Sequence, residues 1–168
     1  MKSEFVEPEL FEHLMWALTP ENRLVCRVCM QTGLRVGDVV ALRSDALKKS
    51  MTVTEQKTGK KKRVTLPAAL LRELQAQSGK FYVFEHRTDE RRHRTRQAVY
   101  ADIKRAAKAF RLKENLTPHS LRKIYAVKIY QRTGDLEKVR EALNHDSDSV
   151  TMIYAYADEL LRKKKKHP

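Results

Sequence analysis

The sequence predicts a mainly α-helical fold with a small antiparallel β-sheet, and three observations carry that prediction. Apolar residues recur at helical spacing through most of the chain, as with Leu10, Leu14 and Leu18. Between residues 51 and 67 the period drops to two on either side of a Thr58-Gly59-Lys60-Lys61 turn. Only five glycines and five prolines occur in 168 residues, which leaves little chain for linkers. At 41% hydrophobic content this length is enough for one domain with its own core, assigned to residues 1–158 and followed by a basic tail, 159–168, that includes Lys163 to Lys166.

The elements follow in order. Glu7 to Leu18 reads as a first helix. Thr19-Pro20-Glu21 supplies an N-cap and a proline at the first helical position for a second helix to Gln31, which Gly33 ends. A third helix spans Arg35 to Leu42 with Val36, Val39 and Val40 inward. Met51 to Lys57 and Lys62 to Pro67 alternate about the turn and make a β-hairpin. Helices resume at Pro67 to Gln77 and at Thr95 to Phe110, where Val99, Ile103, Ala106, Ala107 and Phe110 form one stripe. Lys80 to Phe84 reads as a third short strand. Three more helices are expected: Pro118 to Gln131, Asp135 to Leu143 with Leu136, Val139 and Leu143 inward, and Ser149 to Asp158.

Charge narrows the partners. There are 35 Lys+Arg against 21 Asp+Glu, a formal net charge of +14, so a polyanion is the first partner to consider. Nucleic acid outranks an anionic membrane surface, because no basic helix with an aromatic apolar face stands out. No apolar run approaches bilayer length, and the Met1 to Pro8 start lacks the apolar core of a signal peptide, so a soluble, cytoplasmic protein is expected. The two cysteines, Cys26 and Cys29, lie in the apolar stretch LVCRVCM without a second pair to complete four ligands. They read as core thiols on a helix, and no metal is implied.

Four places concentrate reactive or phosphate-binding side chains: Thr32-Gly-Leu-Arg35 with Asp38, Lys57 in the hairpin, Thr117-Pro-His119-Ser-Leu-Arg122, and His145 to Tyr154. Each alone has an ordinary explanation. Arg35 follows a glycine cap, Lys57 is one of five basic residues between Lys57 and Arg63, His119 and Arg122 open a helix, and a tyrosine near a C-terminus commonly packs.

Together, in this order and spacing, they resemble the catalytic domain of the tyrosine recombinase (phage integrase) family. The family signature runs T-G-L-R-x-x-E/D, a hairpin lysine, H-x-L-R, then L-G-H and a tyrosine nine residues past that histidine. Here Arg35 precedes Asp38 by three, Lys57 opens K-T-G-K, His119 precedes Arg122 by three, and Tyr154 follows His145 by nine. The resemblance spans Leu18 to Ala157. The chain departs from the pattern at Asn144, where glycine is usual, at Asp38 for glutamate, and at Lys123 for a histidine. Asparagine tolerates the left-handed backbone better than other non-glycine residues, so the turn at Asn144 is expected to survive.

The resemblance implies a tyrosine recombinase catalytic-domain fold that cleaves and rejoins DNA through a 3′-phosphotyrosyl link, without cofactor or metal. It implies Arg35 and Arg122 as a phosphate clamp with His145 as a third donor, Lys57 as general acid, and His119 to take the tyrosine proton or hold a phosphate oxygen. Asp38 orients the arginine or His119. Tyr154 is the expected nucleophile; Tyr156, two residues on, points to another helix face and is expected to pack. Lys60, Lys61, Lys62 and Arg63, the run with Arg87, Arg91, Arg92, Arg94 and Arg96, and Lys104, Arg105 and Lys108 are candidate phosphate contacts. Expected partners are double-stranded DNA and further copies of the chain, as a tetramer on paired DNA sites in a bacterial nucleoid or phage-infected cell, with no membrane. Two other classes stay open, a DNA-binding protein on the same fold without strand exchange and a type IB topoisomerase-like nicking-closing enzyme. The recombinases usually clamp DNA with a separate helical domain on the N-terminal side, and none is expected within these residues.

Overall fold

The computed structural model describes residues 8–144. Among these, the chain forms α1 (Pro8–Met15), α2 (Pro20–Thr32), α3 (Val36–Val40), β1 (Ser50–Thr54), β2 (Lys61–Thr65), α4 (Ala68–Gln77), β3 (Glu85–His86), β4 (Asp89–His93), α5 (Arg96–Ala109), α6 (Pro118–Thr133) and α7 (Leu136–Ala142). The strands make two antiparallel hairpins, β1–β2 and β3–β4, rather than one sheet. The expected helix from Ser149 to Asp158 lies outside the described residues.

The centre of the fold is α2, which packs on α6, α3 and α4. Its inward face is Val25, Cys26, Val28 and Cys29, each fully buried, so the cysteines are core thiols as read from the sequence. Burial pushes Cys29 up to about 12 and Cys26 well above its ordinary value, which keeps both thiols protonated and unreactive. Pro20 opens α2 and Gly33 closes it in the left-handed conformation at φ 67°.

Thr19 is the N-cap residue, yet its hydroxyl makes no bond to its own helix. Its amide and hydroxyl both donate to the buried Asp102 carboxylate of α5, at 2.9 and 3.1 Å, and Asn22 donates to the same oxygen at 2.7 Å. Burial works against ionising Asp102, but these donors and Arg105 outweigh it and hold the carboxyl below its usual range. A charge-assisted staple thus fixes α5 across the start of α2.

The stripe on α5 is inward at Val99, Ile103, Ala106 and Ala107. Phe110 leaves it: at the helix C-cap the chain turns away and the ring is 47% exposed. Leu136, Val139 and Leu143 face α6 in a small second cluster with Ala126 and Ile129.

Two strand expectations change. The hairpin turn is longer than its Thr-Gly signal suggests, because Glu55 and Lys60 close it and Lys57 stands in the turn instead of on β1. The stretch Lys80 to Phe84 makes only a bridge, with Tyr82 opposite Arg43. Val83 and Phe84, adjacent in sequence, are both buried, which a two-residue pleat facing one core does not allow. The strand pairing comes after them, where Asp89–His93 runs back against Glu85–His86. No helix among the described residues is long and apolar enough to cross a membrane.

Candidate active site

The segment Thr32-Gly-Leu-Arg35 is explained residue by residue. The buried Thr32 hydroxyl donates to the Val28 carbonyl at 2.7 Å and accepts from the Leu34 amide at 3.3 Å, tying the helix end to the turn. Gly33 has a positive φ, and a Cβ there would lie 2.3 Å from the Tyr125 ring, so both backbone and space require glycine. Leu34 is fully buried. It anchors Arg35, the N-cap residue of α3, at the edge of the cleft.

The second arginine comes from α6. Thr117 caps this helix in a reciprocal box with Ser120, and Pro118 takes the first turn. His119 and Arg122 then stand one turn apart on one face. His119 is exposed while Arg122 is 4% exposed. The Arg122 guanidinium donates to the Gly33 carbonyl, and its other amino group to the Leu143 carbonyl at 3.3 Å. One buried arginine therefore braces the T-G-L-R turn and the end of α7 while lining the cleft.

That cleft, about 1040 Å³, brings together Arg35, Asp38, Lys57, His119 and Arg122. These residues are separated by up to 87 positions in sequence, and the fold collects them in one place. His145, Tyr154 and Tyr156 lie outside the described residues.

The hairpin turn is gripped by α3. Asp38, expected to orient an arginine or His119, accepts the Gln56 amide at 2.9 Å. Glu55 is a carboxylate partner of the arginine: Arg35 donates to its Oε2 at 2.6 Å, and the Thr58 hydroxyl donates to the same oxygen at 2.9 Å. Burial pushes the Glu55 carboxyl upward, but Thr58 and Arg35 prevail and hold it below its usual value. Asp38, with its own bond to Gln56, is pushed up by burial.

Glu55 was missed in the sequence, although a signal exists. On β1 the inward parity is Met51, Val53, then Glu55, so alternation delivers an acid to the core face just before the Lys-Thr-Gly turn. Such a burial is costly unless the charge is paired, and here it is.

The other basic candidates divide into two groups. Lys61, Arg63, Arg91, Arg92 and Arg96 are exposed, with Arg96 and Lys104 on the cleft wall. Others bond to the scaffold: Arg94 to Asn22 at 2.6 Å, Arg105 to Asp102 and the Ala17 carbonyl, Lys62 to the Ala142 carbonyl, and Lys60 to the Asn144 carbonyl at 3.3 Å. Lys104 itself reaches Asn115. The Lys60 and Lys62 bonds pin the end of α7 to the hairpin, next to where His145 follows. Asn144 adopts φ 61°, the left-handed conformation expected where the family usually carries glycine.

Two arginines, a histidine and a hairpin lysine thus line one open cleft, a set of donors with the charge to meet a phosphate. Comparison with known proteins places the chain in a family. The profile of the Phage integrase family matches residues 4–160. The chain is 31% identical over 136 residues to the probable integrase/recombinase YoeC of Bacillus subtilis, covering 77% of this chain and 74% of the relative. It is 29% identical over 152 residues to the tyrosine recombinase XerD of Lacticaseibacillus casei, covering 80% of this chain and 50% of that one. Among solved structures, XerA recombinase superposes with a TM-score of 0.75 at 21% identity, over 100% of this chain and 66% of the other. A lambda integrase dimer bound to a core site superposes at 0.71 with 22% identity, over 92% and 48%. The chain belongs to the phage integrase family. It spans about half the length of the XerD recombinases that it matches.

Proposed function

We propose that this chain cleaves and rejoins double-stranded DNA through a covalent 3′-phosphotyrosyl intermediate, as the catalytic part of a site-specific recombinase. The observation that supports it most is the convergence of Arg35, Lys57, His119 and Arg122 on one cleft, with the segment that leads to His145 held beside them.

In the proposed step the Tyr154 oxygen attacks the scissile phosphorus and gives up its proton toward His119. The bond from phosphorus to the 5′ oxygen breaks as the new tyrosyl bond forms, and Lys57 donates a proton to the leaving 5′ oxygen. Arg35 and Arg122, with His145, offset the negative charge that builds on the non-bridging oxygens; guanidinium stays charged at any working pH and matches a phosphate with two parallel donors. The bond energy is kept in the phosphotyrosine, so rejoining is the reverse attack by a 5′ hydroxyl and needs no nucleotide.

The relatives point to the partners. A XerH recombinase is known bound to palindromic difH substrate in a post-cleavage complex, and a lambda integrase tetramer bound to a Holliday junction. By that likeness this chain acts on duplex DNA as an assembly of copies, on chromosomal or phage DNA inside the cell.

A DNA substrate nicked near the cleavage point traps the intermediate and tests the reading. Wild type should yield a covalent adduct, Tyr154→Phe should bind DNA without forming it, and Tyr156→Phe should still form it. An adduct from Tyr154→Phe and none from Tyr156→Phe would reassign the nucleophile. Absence of any wild-type adduct, with DNA binding intact, would favour a binding protein instead.

A further inference from the structure

Glu55 is a fully buried carboxylate two residues before Lys57, and one of its oxygens joins two parts of the site. Oε2 accepts from Arg35 at 2.6 Å and from the Thr58 hydroxyl at 2.9 Å. Thr58 is the residue next to Lys57, so the turn that carries the lysine and the arginine that meets the phosphate share a single acceptor.

The backbone of the same turn is fixed by its own bonds. The Glu55 amide donates to the Lys60 carbonyl at 2.9 Å, and the Gly59 amide donates to the Glu55 carbonyl at 2.8 Å. Asp38 holds the Gln56 amide from below. Gly59, at φ 68°, lets the chain reverse. The backbone bonds therefore set the path of the turn. The Glu55 side chain adds to the tie that Asp38 makes to α3: it bonds the turn directly to the Arg35 guanidinium.

Solvation makes this arrangement informative. A carboxylate out of water is retained only where its partners hold it, and the second oxygen of Glu55 is buried without a hydrogen-bond partner among the described residues. Glutamine would fill the same space and could still accept, but without charge. A surface turn needing only stability has no use for such a group.

We propose that Glu55 is a positioning residue for the general acid, its carboxylate locking the Lys57 turn to Arg35 so that the ammonium meets the leaving oxygen when the clamp meets the phosphate. The inference rests on the reading of Lys57 as the proton donor in strand cleavage. Loss of the lock leaves both groups present but misaligned, and a misplacement of about 1 Å costs on the order of a hundredfold in rate.

The experiment uses the full chain in single-turnover cleavage of two nicked substrates, one normal and one with sulfur in place of the bridging 5′ oxygen. The thiolate leaves without a proton, so a defect in proton delivery disappears on that substrate. Glu55→Gln and Thr58→Val should each slow cleavage of normal DNA, by about 10- to 100-fold for Glu55→Gln, and should return to near the wild-type rate on the sulfur substrate. Arg35→Ala should stay slow on both. Thr58 is exposed, so its variant keeps the test open should Glu55→Gln fail to fold. The proposal is overturned if both variants cleave normal DNA at the wild-type rate, or if they stay slow on the sulfur substrate while Lys57→Ala is rescued. Failure of Lys57→Ala itself to be rescued would remove the general-acid reading, and this inference with it.

Discussion

The two hairpins of this molecule are similar in size and opposite in construction. On β1–β2, Met51 faces Val64 across the register and both are buried, and Leu66 beyond it is fully buried. The turn is then held from α3 by Asp38 and Arg35. On β3–β4 the strand is Asp-Glu-Arg-Arg-His, no residue of it is buried, and the register shifts between Glu85 and His86. Its attachment is at one end, where Arg94 donates its amide to the Phe84 carbonyl at 2.7 Å and its guanidinium to Asn22. One hairpin is set into the core and carries a catalytic candidate beside its own exposed cations, Lys61 and Arg63; the other, with no buried residue on β4, presents cations to solvent. The first hairpin thus combines an anchored turn with charge, and the second supplies charge alone.

The largest effect that separates them is kinetic. Lys57→Ala should slow single-turnover cleavage at saturating DNA by about 10²- to 10⁴-fold, the usual worth of a general acid. The double variant Arg91→Ala/Arg92→Ala should cleave at the wild-type rate once saturated, yet bind more weakly, its slope of log K against log salt shallower by about 0.9 for each phosphate that the variant no longer neutralises. A saturated rate as low for the arginine pair as for the lysine would erase the division of labour between the hairpins.

Stability should divide the same way at smaller scale. Leu66→Ala, directly after β2, should cost about 2–5 kcal/mol in urea unfolding, because a fully buried leucine leaves a cavity. Glu90→Ala on β4 should stay within about 0.5 kcal/mol, since its contact with Lys80 at 3.4 Å is between exposed groups. Comparable losses from both would mean that the second hairpin is more tightly integrated than its exposure shows.

The same contrast explains what could be read from the sequence. The first hairpin announces itself by alternation and a Thr-Gly turn, and the helices by their inward stripes and by caps such as Thr117-Pro118 and Gly33. The second hairpin has no apolar alternation to read, and its arginines look like a loop because nothing on that strand is buried. Arg35, His119 and Arg122 were picked out by their likeness to a family signature, and the same motifs fix the local backbone through a left-handed glycine and a capping box. Glu55 was not, since its role depends on Arg35, twenty residues upstream and opposite it only after folding. The scaffold roles of Lys62, Arg94 and Arg105 were hidden for a related reason, as composition counts a charge without saying which way it faces.

Lys62 gives that last point a measurable form. Its amine is drawn in from β2 to the Ala142 carbonyl and lies 5.0 Å from the Tyr125 ring. Burial, and after it the nearby Arg122, push its pKa from 10.5 down to about 8, with Arg35 adding to the fall and Glu55 and Asp38 opposing it. Between those values the unfolded chain holds a proton that the folded chain has released, so this group makes stability rise with pH from about 8 toward 10.5; below 8 both states are charged and its full cost is present. Cys26, Cys29 and Tyr125 act with the opposite sign, because burial makes the folded state hold their protons longer. The measurement must therefore be a difference. Lys62→Met keeps the apolar stem and removes the titration, so wild type should gain about 1 kcal/mol on the variant between about pH 8 and 9 at fixed salt. Parallel curves for the two proteins would show that the ammonium is solvated after all, and that Lys62 belongs with the outward-facing cations of the second hairpin.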